Sequence, residues 1–170
     1  MNALMKNILL IMVASPMSWA VQAANINIAG NVVASACNVA SESVSQDIDF
    51  GQLRSTDLKD AGTATVWQPF TVKLTHCPLS TSKVTVTFSG SPSTDDPALF
   101  ANSGTAKNVG VQVVQDANKM LVQGNGSSMT VNVDAQHEAT YALAARVYSV
   151  NGDTVAGTLS SVVVMNFTYQ

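Results

Sequence analysis

From residue 26 onward the apolar positions of this chain recur at every second residue, and no apolar stripe keeps helical spacing for more than a turn or two. Strict alternation of this kind sends one set of side chains to each face of an extended strand. The pattern predicts eight strands, over residues 26–34, 46–50, 66–76, 83–89, 109–115, 129–133, 140–150 and 154–169, rich in Val, Thr, Ile and Phe. Turn residues separate them: Gly51, Asp60-Ala61-Gly62, Gly90-Ser91-Pro92, Gly124-Asn125-Gly126 and Asn151-Gly152. Asn151-Gly152 is the strongest hairpin signal and predicts the last two strands as antiparallel neighbours. Gly124-Asn125-Gly126 reads as another hairpin loop, because no helix follows it to aim backbone amides at a phosphate.

The fold class is all-β, and strands of this length and spacing suggest two packed antiparallel sheets, an immunoglobulin-like sandwich rather than a closed barrel. In the last strand Leu159, Val163, Met165, Phe167 and Tyr169 form the inward set, with Thr158, Ser160, Asn166 and Thr168 on the other face. Val162 and Val164 interrupt the polar face, which predicts cover on both sides for part of that strand. An early alternating segment, Ile26, Ile28, Gly30 and Val32, and the terminal one cannot satisfy each other as neighbours, which suggests a subunit completed by another chain. The alternative is that residues 24–34 fold back as the ordinary first strand of a complete sandwich.

At the N-terminus Lys6 precedes an apolar run over residues 8–13, then Pro16 and the small-residue site Val21-Gln22-Ala23. This is the pattern of a cleaved secretory signal over residues 1–23. The run is well short of the roughly 20 residues that span a bilayer, so no direct membrane insertion is expected. Removing 23 of 170 residues leaves 147, one domain with a genuine core. Charged residues are 11% of the chain and the net charge is −3, or −4 without Lys6, so nothing attracts nucleic acid or anionic lipid. In an exported chain the two cysteines, Cys37 and Cys77, are expected to form a disulfide. It would close a loop worth roughly 4 kcal/mol in the chain-entropy model.

Catalytic and metal chemistry is scarce. His76 abuts Cys77 at a strand end and His137 sits in the polar connection Asp134-Ala135-Gln136-His137-Glu138, so neither has a convincing partner set. Asp47 and Asp49 share a strand face, and Asp95-Asp96 lie beside Pro97; a solvated face and a turn explain them better than acid–base work. No nucleophile elbow or cluster of metal ligands is present, so no enzyme, cofactor or metal is expected.

The order of several landmarks resembles the chaperone-usher pilins, most closely the minor tip-adaptor subunits of type 1 fimbriae. The landmarks are Asn25 through Val33, Cys37, Phe50-Gly51, Leu74-Thr75-His76-Cys77-Pro78, and Val84-Thr85-Val86-Thr87-Phe88-Ser89-Gly90. Ala145-Arg146-Val147, Asn151-Gly152, Gly157 and the penultimate Tyr169 follow. The resemblance covers the whole chain after the signal. It implies an incomplete immunoglobulin-like β-sandwich lacking its final strand, with an N-terminal donor-strand extension over 24–35 and a pilin domain over 36–170. Ile26, Ile28 and Val32 would enter pockets of a neighbouring subunit, with Gly30 where the partner's surface comes close. Gly157, Val163, Met165, Phe167 and Tyr169 would wall this chain's own acceptor groove, which also binds the chaperone.

The partners so implied are a periplasmic chaperone, an outer-membrane usher and neighbouring fimbrial subunits, with export through the periplasm to a fimbrium on the bacterial surface, where it supports cell adhesion. The expected role is a minor structural subunit linking a tip adhesin to the rod. The major rod subunit is the nearest alternative, and a self-contained secreted ligand-binding β-sandwich the rival from another class. Against that rival, Trp67 is the only tryptophan after the signal, and aromatics are 6% of the chain, so platforms for sugar stacking are few.

Overall fold

The computed structural model describes residues 27–30 and 35–170. The chain divides into two units, residues 1–31 and 32–170, and the fold below is that of the second. Its strands are β1 (Asn38–Val39), β2 (Thr63–Ala64), β3 (Gln68–Thr75), β4 (Lys83–Gly90), β5 (Phe100–Ala101), β6 (Gly110–Gln115), β7 (Asn118–Val122), β8 (Ser128–Asn132), β9 (Ala139–Ser149) and β10 (Val163–Tyr169), with a short helix, α1 (Ser41–Val44), and a 3-10 turn at Ser55–Leu58. Every pairing is antiparallel. One sheet runs β1-β3-β9-β6-β5, with β2 added to β9 and β7 to β6; the other is β10-β4-β8.

Alternation builds the core between the sheets. On β4, Val84, Val86 and Phe88 are fully buried, and across from them stand Leu74 of β3 and Tyr141 and Leu143 of β9. The Tyr141 hydroxyl donates to the Val84 carbonyl at 2.8 Å, which ties one sheet to the other and satisfies a polar group that would be costly to bury alone. The Cys37–Cys77 disulfide joins the lead-in to β1 with the end of β3.

The Asn151-Gly152 hairpin is corrected by this topology. The chain does turn there, but β9 and β10 lie in different sheets. Both edges of β9 are already taken, by β3 and β2 on one side and β6 on the other, so no ladder position remains for β10. The turn is drawn instead onto the 59–62 loop, where the Asp153 amide donates to the Lys59 carbonyl at 2.7 Å. A Cβ on Gly152 would stand 2.6 Å from that same oxygen, and its φ of 78° also favours glycine.

Other expectations shift too. Residues 46–50 are not a strand: α1 precedes them, and the edge of β3 is occupied by side chains, with the Gln46 amide donating to the Thr71 carbonyl at 2.9 Å and the Lys73 amide to the Ser43 hydroxyl at 3.0 Å. Ile48 and Phe50 still pack on the core while Asp47 and Asp49 are exposed, so the period-two reading of the faces holds. Gly124-Asn125-Gly126 is no hairpin loop but a crossover, since β7 pairs with β6 and β8 with β4. Its Gly126 amide donates to the Phe88 carbonyl, and Asn125 accepts from the Gly90 amide. The β7 strand was hidden by the polar run Gln115 to Lys119. The last strand is shorter than its pattern, Val163–Tyr169 rather than 154–169.

Burial pushes the Tyr141 phenol well above its usual value, helped by the nearby Tyr169. Above pH 10 the unfolded chain gives up this proton while the folded chain keeps it, so stability is flat at neutral pH and falls as pH rises past about 10. Urea titrations at pH 8 and 11 should show this loss, and Tyr141→Phe should reduce it.

Candidate functional site

Among the described residues the β10 strand has a partner on one side only. Its register with β4 is continuous from Val163↔Gly90 to Tyr169↔Val84. One step past that run Gln170 and Lys83 exchange both backbone hydrogen bonds, at 2.9 and 3.0 Å. Antiparallel ladders alternate bonded and non-bonded pairs, so Thr168, Asn166 and Val164 also bond to β4. Consistent with this, the Phe88 backbone of β4 turns the other way and bonds to residues 126 and 127, towards β8. The backbone N–H and C=O groups of Val163, Met165, Phe167 and Tyr169 therefore point away from β4, to an edge that no described strand covers.

The same four residues carry the half-buried side chains, while Val164, Asn166 and Thr168 are exposed. Beside them runs a groove of about 1250 Å³ whose floor is the core itself: Phe88, Val111 and Val113 line it, with Phe50 and Leu58 on the far side. Gly157, Val163, Met165 and Phe167 line it. Tyr169 lies outside that lining; its hydroxyl reaches the Cys37 carbonyl at 3.5 Å, beside the disulfide. Burial raises its pKa. Phe167 tilts against Tyr141 with ring centroids 5.7 Å apart, so this wall rests on the largest fully buried side chain of the core. Cover on the outer face of β10 is not found among the described residues: Val162 and Val164 are 72% and 50% exposed.

An apolar trough beside a row of free amides and carbonyls can bind one thing well, an extended peptide that supplies a ladder and alternate apolar side chains. Among the described residues no group of three or more His, Cys, Asp or Glu could hold a metal. Asp49 accepts from the Gly51 amide at 2.7 Å and Asp96 from the Ala98 amide at 2.9 Å, so these carboxylates shape turns. His76 and His137 have φ of 53° and 60° and sit in turns, the His137 carbonyl accepting from the Cys77 amide.

On the candidate donor side, Ile26 and Val32 lie outside the described residues. Ile28 is 92% exposed, and nothing stands within 4 Å of where a Gly30 Cβ would be. The sequence missed the far wall of the groove, residues 43–54, because that segment is irregular; only the spacing of Ile48 and Phe50 marks it.

Residues 26–170 match the family model described as fimbrial protein. The chain is 36% identical over 155 residues to protein FimG of Escherichia coli K12, covering 89% of each chain. It belongs to the fimbrial protein family. A second relative of this fimbrial protein, the fimbrial-like protein YdeR of the same strain, is 34% identical over the full length of both. Among solved structures, the P pilus rod subunit PapA matches with a TM-score of 0.66 at 23% identity, over 79% of this chain and 99% of PapA. A subunit of a chaperone-usher pilus matches at 0.67 and 22%, over 94% and 100%. These two likenesses establish the fold, an immunoglobulin-like sandwich with an open sheet.

The two faces of β10 should differ in mutational cost. Phe167→Ala removes both groove wall and the Tyr141 contact and should destabilise the fimbrial protein by about 2–3 kcal/mol, whereas Val164→Ala on the exposed face should cost under about 1 kcal/mol. Urea midpoints of the two variants measure the difference.

Proposed function

We propose that this chain is a structural subunit of a bacterial type 1-like fimbrium, assembled by donor-strand complementation and exchange along the chaperone-usher route. The observation that carries the reading is the open edge of β10 above an apolar floor. Exposed edges of this kind invite aggregation, so such a subunit needs a strand beside β10 from the moment it folds. A periplasmic chaperone supplies that strand first. At the outer-membrane usher, the extension of the next subunit replaces it, and the subunit is carried to the fimbrium on the cell surface. Strand addition between pilins is a known case of β-augmentation.

In this reading residues 1–23 direct export and are removed, 24–35 form the donor strand and 36–170 the receiving domain. Ile26, Ile28 and Val32 seat in a neighbour's groove, with Gly30 at the closest approach, while Val163, Met165 and Phe167 receive the strand of another neighbour and Tyr169 and Gly157 fix the two ends of the wall. Burying three such donor side chains contributes roughly 5–9 kcal/mol before ordering costs. The role is architectural rather than catalytic. A minor subunit is preferred to the rod subunit on the order of the landmarks, which resembles that of tip-adaptor subunits.

Ile28→Asp tests the donor assignment. It should abolish incorporation into surface fimbriae, read by immunogold labelling, while the urea midpoint of the isolated subunit stays within about 0.5 kcal/mol of wild type. A variant that unfolds instead would place residues 24–34 inside this chain's own sandwich.

A further inference from the structure

The burial pattern of the last strand does not stop where its ladder with β4 stops. From Thr158 to Gln170 exposed and half-buried residues alternate without a break, although only Val163–Tyr169 is paired with a strand. Beyond Gly90 the β4 chain leaves to bridge Pro92 with Phe100, so residues 158–162 have no strand behind them. A loop over residues 102–106 takes its place. Thr158 donates its amide to the Thr105 hydroxyl at 2.8 Å, and its carbonyl accepts from the Ala106 amide and the Asn102 side chain at 3.0 and 3.2 Å. The Ser160 amide donates to the Asn102 side-chain oxygen at 2.8 Å, and its carbonyl accepts from the amide and hydroxyl of Ser103 at 2.8 and 3.0 Å.

Thr158 and Ser160 thus spend both of their backbone groups on the rear side, as Val164, Asn166 and Thr168 do against β4. In an extended chain the residues between them face the other way. Leu159 and Ser161 line the groove, and among the described residues neither has a backbone hydrogen-bond partner. The register begins at a bend at Gly157, where a Cβ would collide with the backbone of Thr105 and Ala106, and a Cβ on Gly104 would collide in turn with the Thr158 carbonyl.

We propose that the acceptor edge of this subunit runs from Leu159 to Tyr169, not along β10 alone, and that Asn102, Ser103 and Thr105 are positioning residues that stand in for a rear strand along its first third. The edge so extended offers six outward backbone positions, 159, 161, 163, 165, 167 and 169, over eleven residues. A strand spans about 3.3 Å per residue, so an edge of eleven residues suits a donor the length of residues 24–35 better than β10 does. This deepens the strand-docking reading and rests on it. The clasp residues touch the wall and not the incoming strand, so they act through the placing of Leu159 and Ser161.

Amide hydrogen exchange by NMR tests this on two grafts of the full chain, with residues 24–35 or only 24–30 appended after Gln170 through a flexible linker. Running back antiparallel to β10, the short graft reaches only that strand. The amides of 163, 165, 167 and 169 should be protected in both grafts, and those of 159 and 161 slowed by at least about 100-fold in the long graft alone. Combining Asn102→Ala with Thr105→Val should remove the protection at 159 and 161 and keep it at 163–169. Equal exchange of 159 and 161 in the two grafts, or their protection surviving the double variant, would overturn the extended edge. Unprotected amides at 163–169 in both grafts would overturn strand docking itself.

Discussion

Two periodicities coincide on β10, and the behaviour of the subunit follows from that coincidence. Side chains alternate between faces along a strand, and backbone hydrogen-bonding groups alternate between edges, each with a period of two. Here Val163, Met165, Phe167 and Tyr169 both point into the sandwich and aim their amides and carbonyls at the uncovered edge. Apolar surface and unpaired backbone are therefore left open at the same place. Water can satisfy the backbone but not the apolar floor, and a small apolar ligand could fill the floor but not the edge. An extended strand would answer both needs at once, which supports a chain segment over a metabolite as the proposed occupant.

The rest of the architecture keeps that edge open. β9 is saturated on both sides, by β3 with β2 and by β6, so the chain leaving it is sent across to the opposite sheet rather than folding back as a hairpin. Its passage is held by the 59–62 loop and then by residues 102–107, and the strand is delivered to β4, whose other edge is filled by β8. On the far side of the groove, Ser43 and Gln46 cap the edge of β3 with side chains, which stops residues 46–50 from forming a ladder and leaves Phe50 half-buried at the groove. The disulfide anchors the lead-in to β1 beside Tyr169.

Much of this was legible from alternation alone. The faces of β3, β4, β8 and β10 follow the spacing of Val, Leu, Met and Phe, and even the irregular segment 46–50 keeps its inward and outward sides. Pairing was harder to read, because it depends on which edges other strands have already taken. Asn151-Gly152 is a good local hairpin sequence overruled by the saturation of β9, and Gly124-Asn125-Gly126 was overruled by the pull of the β4 end on Gly126 and Asn125. Residues 158–162 show the converse: the pattern identifies an extended segment, yet its rear bonds run to the side chains of Asn102, Ser103 and Thr105, which no strand pattern reveals. Gly157 came from family resemblance, and its close approach to residues 105 and 106 gives a physical reason for a residue without a side chain there.

The central claim is that the domain is a sandwich short of one strand. Thermal unfolding tests it most directly, comparing the domain that starts at residue 36 with the same domain carrying residues 24–35 fused after Gln170 through a flexible linker. A missing strand predicts a large rise in the midpoint, well above the roughly 2–8 °C that a single favourable contact gives. A truncated domain that is already stable and monomeric, with a midpoint unchanged by the graft, would contradict it.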